Sequence, residues 1–204
     1  MKNQIIAQGA EAIIHKINNK IVKDRIPKNY RIKELDNKIR ITRTRSEAKI
    51  INKLQNIIPV PTLLSLPESG RMIHMQFING KKLSENLESL DYKKICKLIG
   101  NNIALMHNHD IIHGDLTTSN MIYVEDEEKV YFIDFGLAFH SHKIEDKAVD
   151  LHLLQQALEA KHFTIWKECL SIILKEYEKI ANQEKDIINR IKIIESRGRY
   201  KDKY

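Results

Sequence analysis

Two short polar motifs, each next to an apolar strand pattern, limit what this chain can fold into. The first is His113–Asn120, which reads HGDLTTSN, and the second is Asp134–Gly136, which reads DFG. Between them, Met121–Val124 and Val130–Ile133 have the composition of two strands joined by an acidic turn. A hairpin brings the start of one strand beside the end of the other, so we expect both motifs at one edge of a sheet.

The polar residues of these motifs form the set that phosphoryl transfer from Mg-ATP requires. We expect Asp115 to be the catalytic residue, which orients the attacking hydroxyl or water and accepts its proton. Asn120 and Asp134 offer hard oxygen ligands, so we expect them to hold Mg²⁺ against the phosphates of ATP. Either motif alone is also typical of a turn, where Asp, Asn and Gly are common. Their order and spacing together match the signature set of protein kinases.

The N-terminal third of the chain predicts a small antiparallel sheet. Its strands are Gln4–Ala7, Ala12–Ile17 and Lys20–Lys23, and an asparagine pair lies in the second turn. The first turn stands where kinases have a loop over the phosphates. It has one glycine where that loop ordinarily has three, so its backbone is less free to approach a phosphate. Taken alone, this turn does not indicate nucleotide binding, and its residues Gly9, Ala10, Glu11 and Ala12 are predicted to bind the nucleotide because of their place ahead of the kinase motifs.

A lysine on the third strand is the predicted phosphate ligand. In kinases this lysine holds the α- and β-phosphates and forms an ion pair with a glutamate on the following helix. We assign the role to Lys23, because it ends an apolar strand, and Lys20 is the rival. Glu47, in the predicted helix Arg43–Ile51, is the expected partner because the apolar residues beside it direct that face inward.

The C-terminal half has the apolar spacing expected of helices. Asp91 is the predicted N-cap of one helix, and the others are Leu83–Leu90, Glu145–Lys161, Phe163–Ala181 and Glu184–Glu195. With the sheet, they predict an α+β, bilobal, protein-kinase-like fold in a single domain. We expect a small antiparallel-sheet N-lobe with one helix (residues 1–78), a hinge near Gly80, a reduced and mainly helical C-lobe (79–195) and a basic tail (196–204).

The activation segment of a regulated protein kinase is missing from the sequence. Only thirteen residues separate Gly136 from Asp150, with no Ala-Pro-Glu motif to dock a peptide. Gly114 stands where an arginine would pair with a phosphorylated loop. We therefore expect control by partners instead of by loop phosphorylation.

Composition is that of one modest intracellular protein. The 204 residues are 42% hydrophobic, enough for a core, yet the chain is shorter than most regulated kinases. Cys96 and Cys169 fit no metal-binding spacing, so we expect buried thiols in a reducing compartment. No apolar run approaches the roughly 20 residues that span a bilayer, and no leader precedes the first strand, so we expect a cytoplasmic protein without a membrane partner.

The combination of motifs resembles the small atypical serine/threonine kinase/ATPase subunit of the KEOPS complex, a relative of the RIO kinases. The resemblance covers essentially the whole chain, including the one-glycine turn, Arg43–Ala48, the HGDLTTSN motif, Ala148–Leu151 and the tail Arg197–Arg199. It implies ATP and Mg²⁺ as cofactors and a role in making threonylcarbamoyladenosine in tRNA. The implied partners are tRNA, the threonylcarbamoyltransferase subunit and a small subunit that docks on the N-lobe.

The resemblance also implies roles for residues away from the two motifs. Met75, Gln76 and Ile78 would contact adenine through the backbone. Such proteins usually have an acidic residue where Gln76 stands, a difference that backbone contacts tolerate. Asp150 would accept hydrogen bonds from the backbone around His113, whereas the residues alone leave a solvated helix carboxylate as the alternative.

The net charge of +7 is concentrated in two segments. RNA is the predicted partner of such segments, and a solvated lysine-rich surface is the alternative. Tyr200 and Tyr204 in the tail stack on bases in the first interpretation and are merely exposed in the second. The cations are Lys28, Arg31, Lys33, Lys38, Arg40, Arg43 and Arg45 in the basic stretch, and Arg197, Arg199, Lys201 and Lys203 in the tail.

We interpret the sequence as a Mg-ATP-dependent atypical serine/threonine kinase or ATPase. One alternative is a small-molecule phosphotransferase of the aminoglycoside or choline kinase type, although little chain remains after Asp150 to enclose such a substrate. The other alternative is a non-catalytic scaffold that binds tRNA and partners. The intact set of predicted site residues argues against a scaffold.

Overall fold

The computed structural model of the protein describes residues 3–9 and 11–198, in which an antiparallel sheet precedes a helical part. The strands of the sheet lie in the order β1-β2-β3-β5-β4. Asn18, between β2 and β3, has a φ of 56°, which asparagine tolerates better than most residues. The three predicted strands are confirmed. The five strands are β1 (Asn3–Gln8), β2 (Ala12–Ile17), β3 (Lys20–Arg25), β4 (Leu63–Ser65) and β5 (Met72–Gln76).

A single long helix packs on this sheet. Helix α1 spans Lys33–Leu54, so it begins ten residues before the predicted helix, and its first turn carries two acids that suit the positive end of the helix dipole. Ala48 of α1 packs in a cluster with Ile73 and Met75 of β5. This contact turns the face of α1 that carries Glu47 toward the sheet.

The remaining elements form the helical part and a three-stranded sheet. Asp91 caps α3 as predicted, since its carboxylate accepts a hydrogen bond from the Lys94 N–H (3.1 Å). The predicted helices are confirmed with shifted ends. The elements are β6 (Lys81–Lys82), α2 (Leu83–Asn86), a 3₁₀ turn (Leu87–Ser89), α3 (Tyr92–Asn108), β7 (Ile111–Ile112), a 3₁₀ turn (Thr118–Asn120), β8 (Met121–Val124), β9 (Lys129–Phe132), β10 (Phe139–His140), α4 (Ile144–Lys161), α5 (Trp166–Ile180) and α6 (Glu184–Gly198).

The main core lies where α3 packs against α5. Ile95, Ile103 and Met106 of α3 are fully buried, as their helical spacing predicts. The two helices approach closely at Gly100, where a Cβ atom would lie 2.4 Å from the Ile173 carbonyl oxygen. The helical part is therefore a firmly packed support for the loops at its edge.

The hairpin predicted between the two motifs is confirmed. Strands β8 and β9 are antiparallel, with Met121 opposite Phe132, and the turn between them ends at Glu128 with a φ of 52°. The backbone N–H of Ile133 donates a hydrogen bond to the Asn120 carbonyl (3.0 Å). Asn120 and Asp134 therefore lie at the same edge of the small sheet.

The C-terminal boundary differs from the prediction. Helix α6 continues to Gly198, so the predicted start of the tail at residue 196 falls inside a helix. The tail residues Arg199, Tyr200, Lys201, Lys203 and Tyr204 lie outside the described residues. Among the helices of residues 3–198, none combines the length and the apolar character needed to cross a bilayer.

Candidate active site

Two adjoining cavities lie between the N-terminal sheet and the helical part. One, of about 440 Å³, is lined by Met75, Gln76 and Ile78 and reaches Asn120. The other, of about 330 Å³, is lined by residues of the one-glycine turn and by Asp115. They share the side chains of Ala7, Ile14, Lys23 and Asp134. Apart from Ala10, which lies outside the described residues, every predicted site residue lines one of the two cavities.

Lys23 is the link between the sheet and the DFG motif. Its ammonium group lies 2.6 Å from Glu47 Oε1 and 2.7 Å from Asp134 Oδ1. Lys23 and Glu47 are both buried, whereas the Asp134 side chain is half exposed to the cleft. Lys20, the rival for the lysine role, is exposed at the hairpin end of β3.

A second cation, which the sequence analysis did not select, also holds Glu47. The Arg25 guanidinium lies 2.6 Å from Glu47 Oε2, and Arg25 is only 4% exposed. Arg25 follows Lys23 by two residues on β3, and side chains two apart on a strand share a face. That spacing is the sequence signal, unused in the prediction, that would have placed Arg25 beside Lys23.

Asp134 has the electrostatics of a metal ligand. Burial by itself raises the pKa of its carboxyl group, but the Lys23 ammonium and the Gly136 backbone N–H, 3.2 Å from Oδ1, bring the pKa below its usual value. Its φ is 62°, a region that non-glycine residues seldom adopt and that concentrates at functional sites. The side chain is therefore an ionised carboxylate that faces the cavity, and it fits Mg²⁺.

Asp115 and Asn120 are joined across the catalytic loop, His113–Asn120. The Asn120 side-chain amide donates to both the backbone carbonyl and the Oδ2 atom of Asp115, each at 2.9 Å. Because the Asn120 nitrogen is used toward Asp115, its amide oxygen is the atom available to a metal ion. The same bonds fix the Asp115 carboxylate at the mouth of the smaller cavity.

Asp150 anchors the catalytic loop from behind. Its two carboxylate oxygens accept hydrogen bonds from the backbone N–H groups of His113 and Gly114, both at 2.9 Å. His107 lies 3.2 Å from Asp150 Oδ2 and 2.9 Å from the Tyr177 hydroxyl, so the network continues into the core. The solvated alternative for Asp150 is wrong, because the residue is only 2% exposed.

Burial and hydrogen bonding set the charge states in this network. Burial by itself raises the pKa of Asp150, but His107 and the His113 backbone bring the pKa below its usual value. Burial lowers the pKa of His113, against the opposing effect of Asp150 and Asp134. The loop is therefore held by an ionised Asp150 beside a neutral His113.

The short segment after the DFG motif packs so closely on Gly114 that only a glycine fits there. Gly114 has a φ of 76°, and a Cβ atom there would lie 2.5 Å from the Leu137 carbonyl oxygen. Strand β10 pairs directly with β7, with Phe139 opposite Ile112, and α4 begins soon afterwards. The chain therefore crosses behind the catalytic loop where regulated kinases extend an activation segment.

The backbone near the predicted hinge is only partly available to a base. The Gln76 N–H donates to the Thr62 carbonyl (2.9 Å), and the Phe77 N–H donates to the Asn19 carbonyl (3.3 Å). The Gln76 and Phe77 N–H groups therefore already have partners, and a backbone contact of Gln76 with adenine would use its carbonyl oxygen. Gln76 and Ile78 both line the larger cavity, and the adenine contacts of Met75, Gln76 and Ile78 stay predictions.

Much of the predicted basic stretch is paired internally. Arg40 lies 2.8 Å from the buried carboxylate of Asp36, and Arg31 lies 3.5 Å from the same group. Arg43 lies 3.0 Å from Glu11 in the turn over the smaller cavity. The exposed cations of the stretch are Lys33, Lys38 and Arg45. The surface that the stretch offers to RNA is smaller than its composition predicts.

A buried contact supports the catalytic loop from its other side. The Thr118 hydroxyl lies 3.1 Å from His162 Nε2, and both residues are buried. Burial lowers the pKa of His162, so the imidazole is neutral at pH 7. The two residues are 44 positions apart in a sequence that carries no pattern to pair them, and sequence reasoning missed the contact.

Comparison with known proteins gives a family match over most of the chain. Residues 13–151 match the family model described as the RIO domain. A protein of Pyrococcus abyssi, named KEOPS complex subunit Bud32, is 40% identical over 98% of this chain and 97% of its own length. A probable serine/threonine-protein kinase BUD32 homolog of Archaeoglobus fulgidus is 38% identical over 94% of both chains.

A third relative is longer than this chain. A probable bifunctional tRNA threonylcarbamoyladenosine biosynthesis protein of Methanothermobacter thermautotrophicus is 41% identical over 97% of this chain. The match covers 37% of that relative's length. This chain therefore corresponds to one part of a larger protein in that organism.

Proposed function

The chain belongs to the RIO domain family of kinase-like proteins, and we propose that it is the Mg-ATP-dependent kinase or ATPase subunit of a KEOPS complex. In this role it supports the threonylcarbamoyladenosine modification of tRNA. The observation that carries the proposal is one cleft that contains Lys23 in contact with Glu47 and Asp134, and Asp115 in contact with Asn120.

The residues of the cleft divide the work of phosphoryl transfer. Lys23 binds the α- and β-phosphates of ATP, while Glu47 keeps its ammonium group in place. Asp134 and the amide oxygen of Asn120 hold Mg²⁺, which neutralises the charge on the phosphates when it is bound. Asp115 orients the attacking oxygen and accepts its proton. A serine or threonine hydroxyl and a water molecule are both attackers that this arrangement serves.

The proposed partners follow from the relatives and from charge. Relatives named as KEOPS subunits support assembly with the threonylcarbamoyltransferase subunit and with a small subunit docked on the N-lobe. The bifunctional relative, in which 37% of the length matches this chain, supports a function exerted beside a second activity. The net charge of +7 suits tRNA as a further partner, and the cytoplasm is the proposed location.

The test is reconstitution with the threonylcarbamoyltransferase subunit and tRNA. We expect ATP turnover to rise when both are added, and Asp134→Ala to abolish turnover because one metal ligand is lost. Asp126→Ala, at an exposed acid of the β8–β9 turn, is the matched control and should turn over ATP like wild type. Measuring ADP release beside phosphate transfer to protein tells hydrolysis from phosphorylation.

The competing functions give different outcomes in the same assay. A small-molecule phosphotransferase would turn over ATP with an added amino alcohol or aminoglycoside and would ignore tRNA. A non-catalytic scaffold would support tRNA modification equally well with Asp134→Ala. Deletion of residues 199–204 should weaken tRNA binding and flatten its salt dependence, because each phosphate contact contributes about 0.7–0.9 to the salt slope.

A further inference from the structure

The turn over the smaller cavity carries an acid that is held between two arginines. Glu11 Oε2 lies 3.0 Å from Arg43 Nη1, and Glu11 Oε1 lies 3.4 Å from Arg31 Nη2. The Glu11 side chain is 41% exposed, so its carboxylate is accessible from the cleft. An acid at this place is unexpected, because a turn that covers ATP phosphates should not repel them.

Arg43 occupies a functional position on α1. It precedes Glu47 by four residues, so the two side chains lie on the same face of the helix, one turn apart. Arg43 lines the smaller cavity together with Lys23, Asp115 and Asp134, but it does not line the cavity that Met75 and Ile78 border. This places the Arg43 guanidinium at the phosphate end of the cleft, on the side of the attacking oxygen.

The one-glycine turn creates a need for such a cation. With a single glycine, the turn has less freedom to bring backbone N–H groups to the phosphates than a three-glycine loop has. A guanidinium provides paired N–H donors whose geometry matches phosphate oxygens. Arg25 is engaged with Glu47, so Arg43 is the arginine of the cavity whose partner belongs to the turn itself.

From the proposed ATP site, on which this inference rests, we propose that Arg43 binds the terminal phosphate of ATP. Glu11 competes with that phosphate for the Arg43 guanidinium. When the phosphate takes Arg43, Glu11 keeps Arg31 as its partner, and Arg31 also lies 3.5 Å from Asp36. The exchange therefore strands no charge in the cleft. The Glu11–Arg43 ion pair therefore lowers the affinity for ATP, because ATP binding must break this contact between the turn and α1.

The proposal predicts a dependence on the number of phosphates. Arg43→Gln should weaken Mg-ATP binding about tenfold or more, since hydrogen bonds to charged groups are the strong ones. Binding of Mg-ADP should weaken less, and binding of adenosine should not change. Arg43→Lys, which keeps the charge, should recover part of the loss. Isothermal titration of the three ligands against the full chain measures each effect.

The role of Glu11 is tested by a double-mutant cycle. Glu11→Gln should tighten Mg-ATP binding severalfold, because the competitor for Arg43 is removed. In the Arg43→Gln background, Glu11→Gln should bring no gain. Arg45→Gln is the matched control: it removes the same charge from the exposed side of α1, two residues further along, and should leave all three affinities within about twofold.

Four results would overturn the inference. Unchanged ATP affinity in Arg43→Gln would overturn it alone, with the proposed ATP site intact. An equal loss for ATP and adenosine would show that Arg43 only supports the fold. Weaker ATP binding in Glu11→Gln would show that Glu11 positions Arg43 instead of competing for it. A wild-type protein that binds neither ATP nor ADP would overturn both this inference and the proposed function.

Discussion

The catalytic loop and the sheet side of the cleft face the same cavities, but different interactions hold them. The Asp150 carboxylate accepts hydrogen bonds from the backbone N–H groups of His113 and Gly114 in a buried network. On the sheet side, Glu47 is held by the ammonium of Lys23 and the guanidinium of Arg25. The residues of the first set line neither cavity of the cleft, whereas the second set contains Lys23, the cation proposed to bind the ATP phosphates.

This difference divides the cleft into two halves. The catalytic loop held by Asp150 is the fixed half, and the sheet side with Lys23 and Glu47, where phosphate can replace a contact, is the exchangeable half. The backbone bonds to Asp150 have no competitor in ATP, so the catalytic loop keeps its geometry whether or not phosphate is bound. Lys23, by contrast, contacts Asp134 now and would turn to the phosphates when Asp134 binds Mg²⁺. Ligand binding should therefore change stability on the sheet side and leave the loop side as it is.

The largest expected effect is on the fixed half, where a substitution of Asp115 should change ATP turnover without changing ATP affinity. Asp115→Asn should lower ATP turnover about 10²–10⁴-fold, because the proton acceptor is lost, while Mg-ATP affinity stays close to wild type. Steady-state turnover and equilibrium binding measure the two. Asp126→Asn on the exposed turn is the control. A loss of affinity equal to the loss of turnover would mean that Asp115 also contacts the phosphates.

Removing Glu47 tests the exchangeable half. Glu47→Ala leaves the buried charges of Lys23 and Arg25 without their shared partner, which should lower the unfolding free energy by about 3–5 kcal/mol. Mg-ATP should restore part of this, because its phosphates replace the lost carboxylate beside Lys23. Thermal melts with and without Mg-ATP should show a larger shift in Glu47→Ala than in wild type.

The matched control for Glu47 is Glu34→Ala, an exposed acid on the same helix, which should change stability little. If the melting temperature of Glu47→Ala equals that of wild type, the buried ion pairs do not stabilise the sheet side. If Mg-ATP shifts the melting temperatures of Glu47→Ala and wild type equally, phosphate does not replace the lost Glu47 carboxylate beside Lys23.

Removing Asp150 is the counterpart on the fixed half. Asp150→Ala leaves two backbone N–H groups and the Nε2 atom of His107 without their partner, and should lower the unfolding free energy by about 3 kcal/mol. Mg-ATP should shift the melting temperature of this variant no more than that of wild type. A larger shift in the variant would show that nucleotide reaches the groups behind the loop, and the contrast between the two halves would fail.

The smallest expected effect is a pH dependence. Burial lowers the pKa of His113 in the folded protein, so below about pH 6.5 the unfolded chain binds more protons than the native one. The unfolding free energy should therefore fall as the pH drops below 6.5, by up to about 1.4 kcal/mol per pH unit. His113→Gln should flatten this slope, whereas exposed His109→Gln should not. Parallel curves for all three proteins would exclude His113 as the cause.

Local patterns were enough to predict the parts of the site that lie close in sequence. Asn120 and Asp134 flank one hairpin, and strand alternation with an acidic turn determines such a hairpin without help from the rest of the chain. Lys23 and Glu47, on neighbouring elements, also contact each other as expected, although their roles stay predictions. Helix α1 was predicted too short because its first turns are highly charged and carry few apolar residues.

Contacts between distant segments were decided only by tertiary structure. Lys23 reaches Asp134 across 111 residues, and His107 reaches Tyr177 across 70. The charge pattern predicted a free basic surface, yet Arg43 is paired with Glu11 in the cleft. The sequence determines the type of each side chain and, through its periodicity, the face of the helix or strand on which that side chain lies. Its partner depends on how the sheet docks on the helices, and that depends on long-range packing that no local pattern encodes.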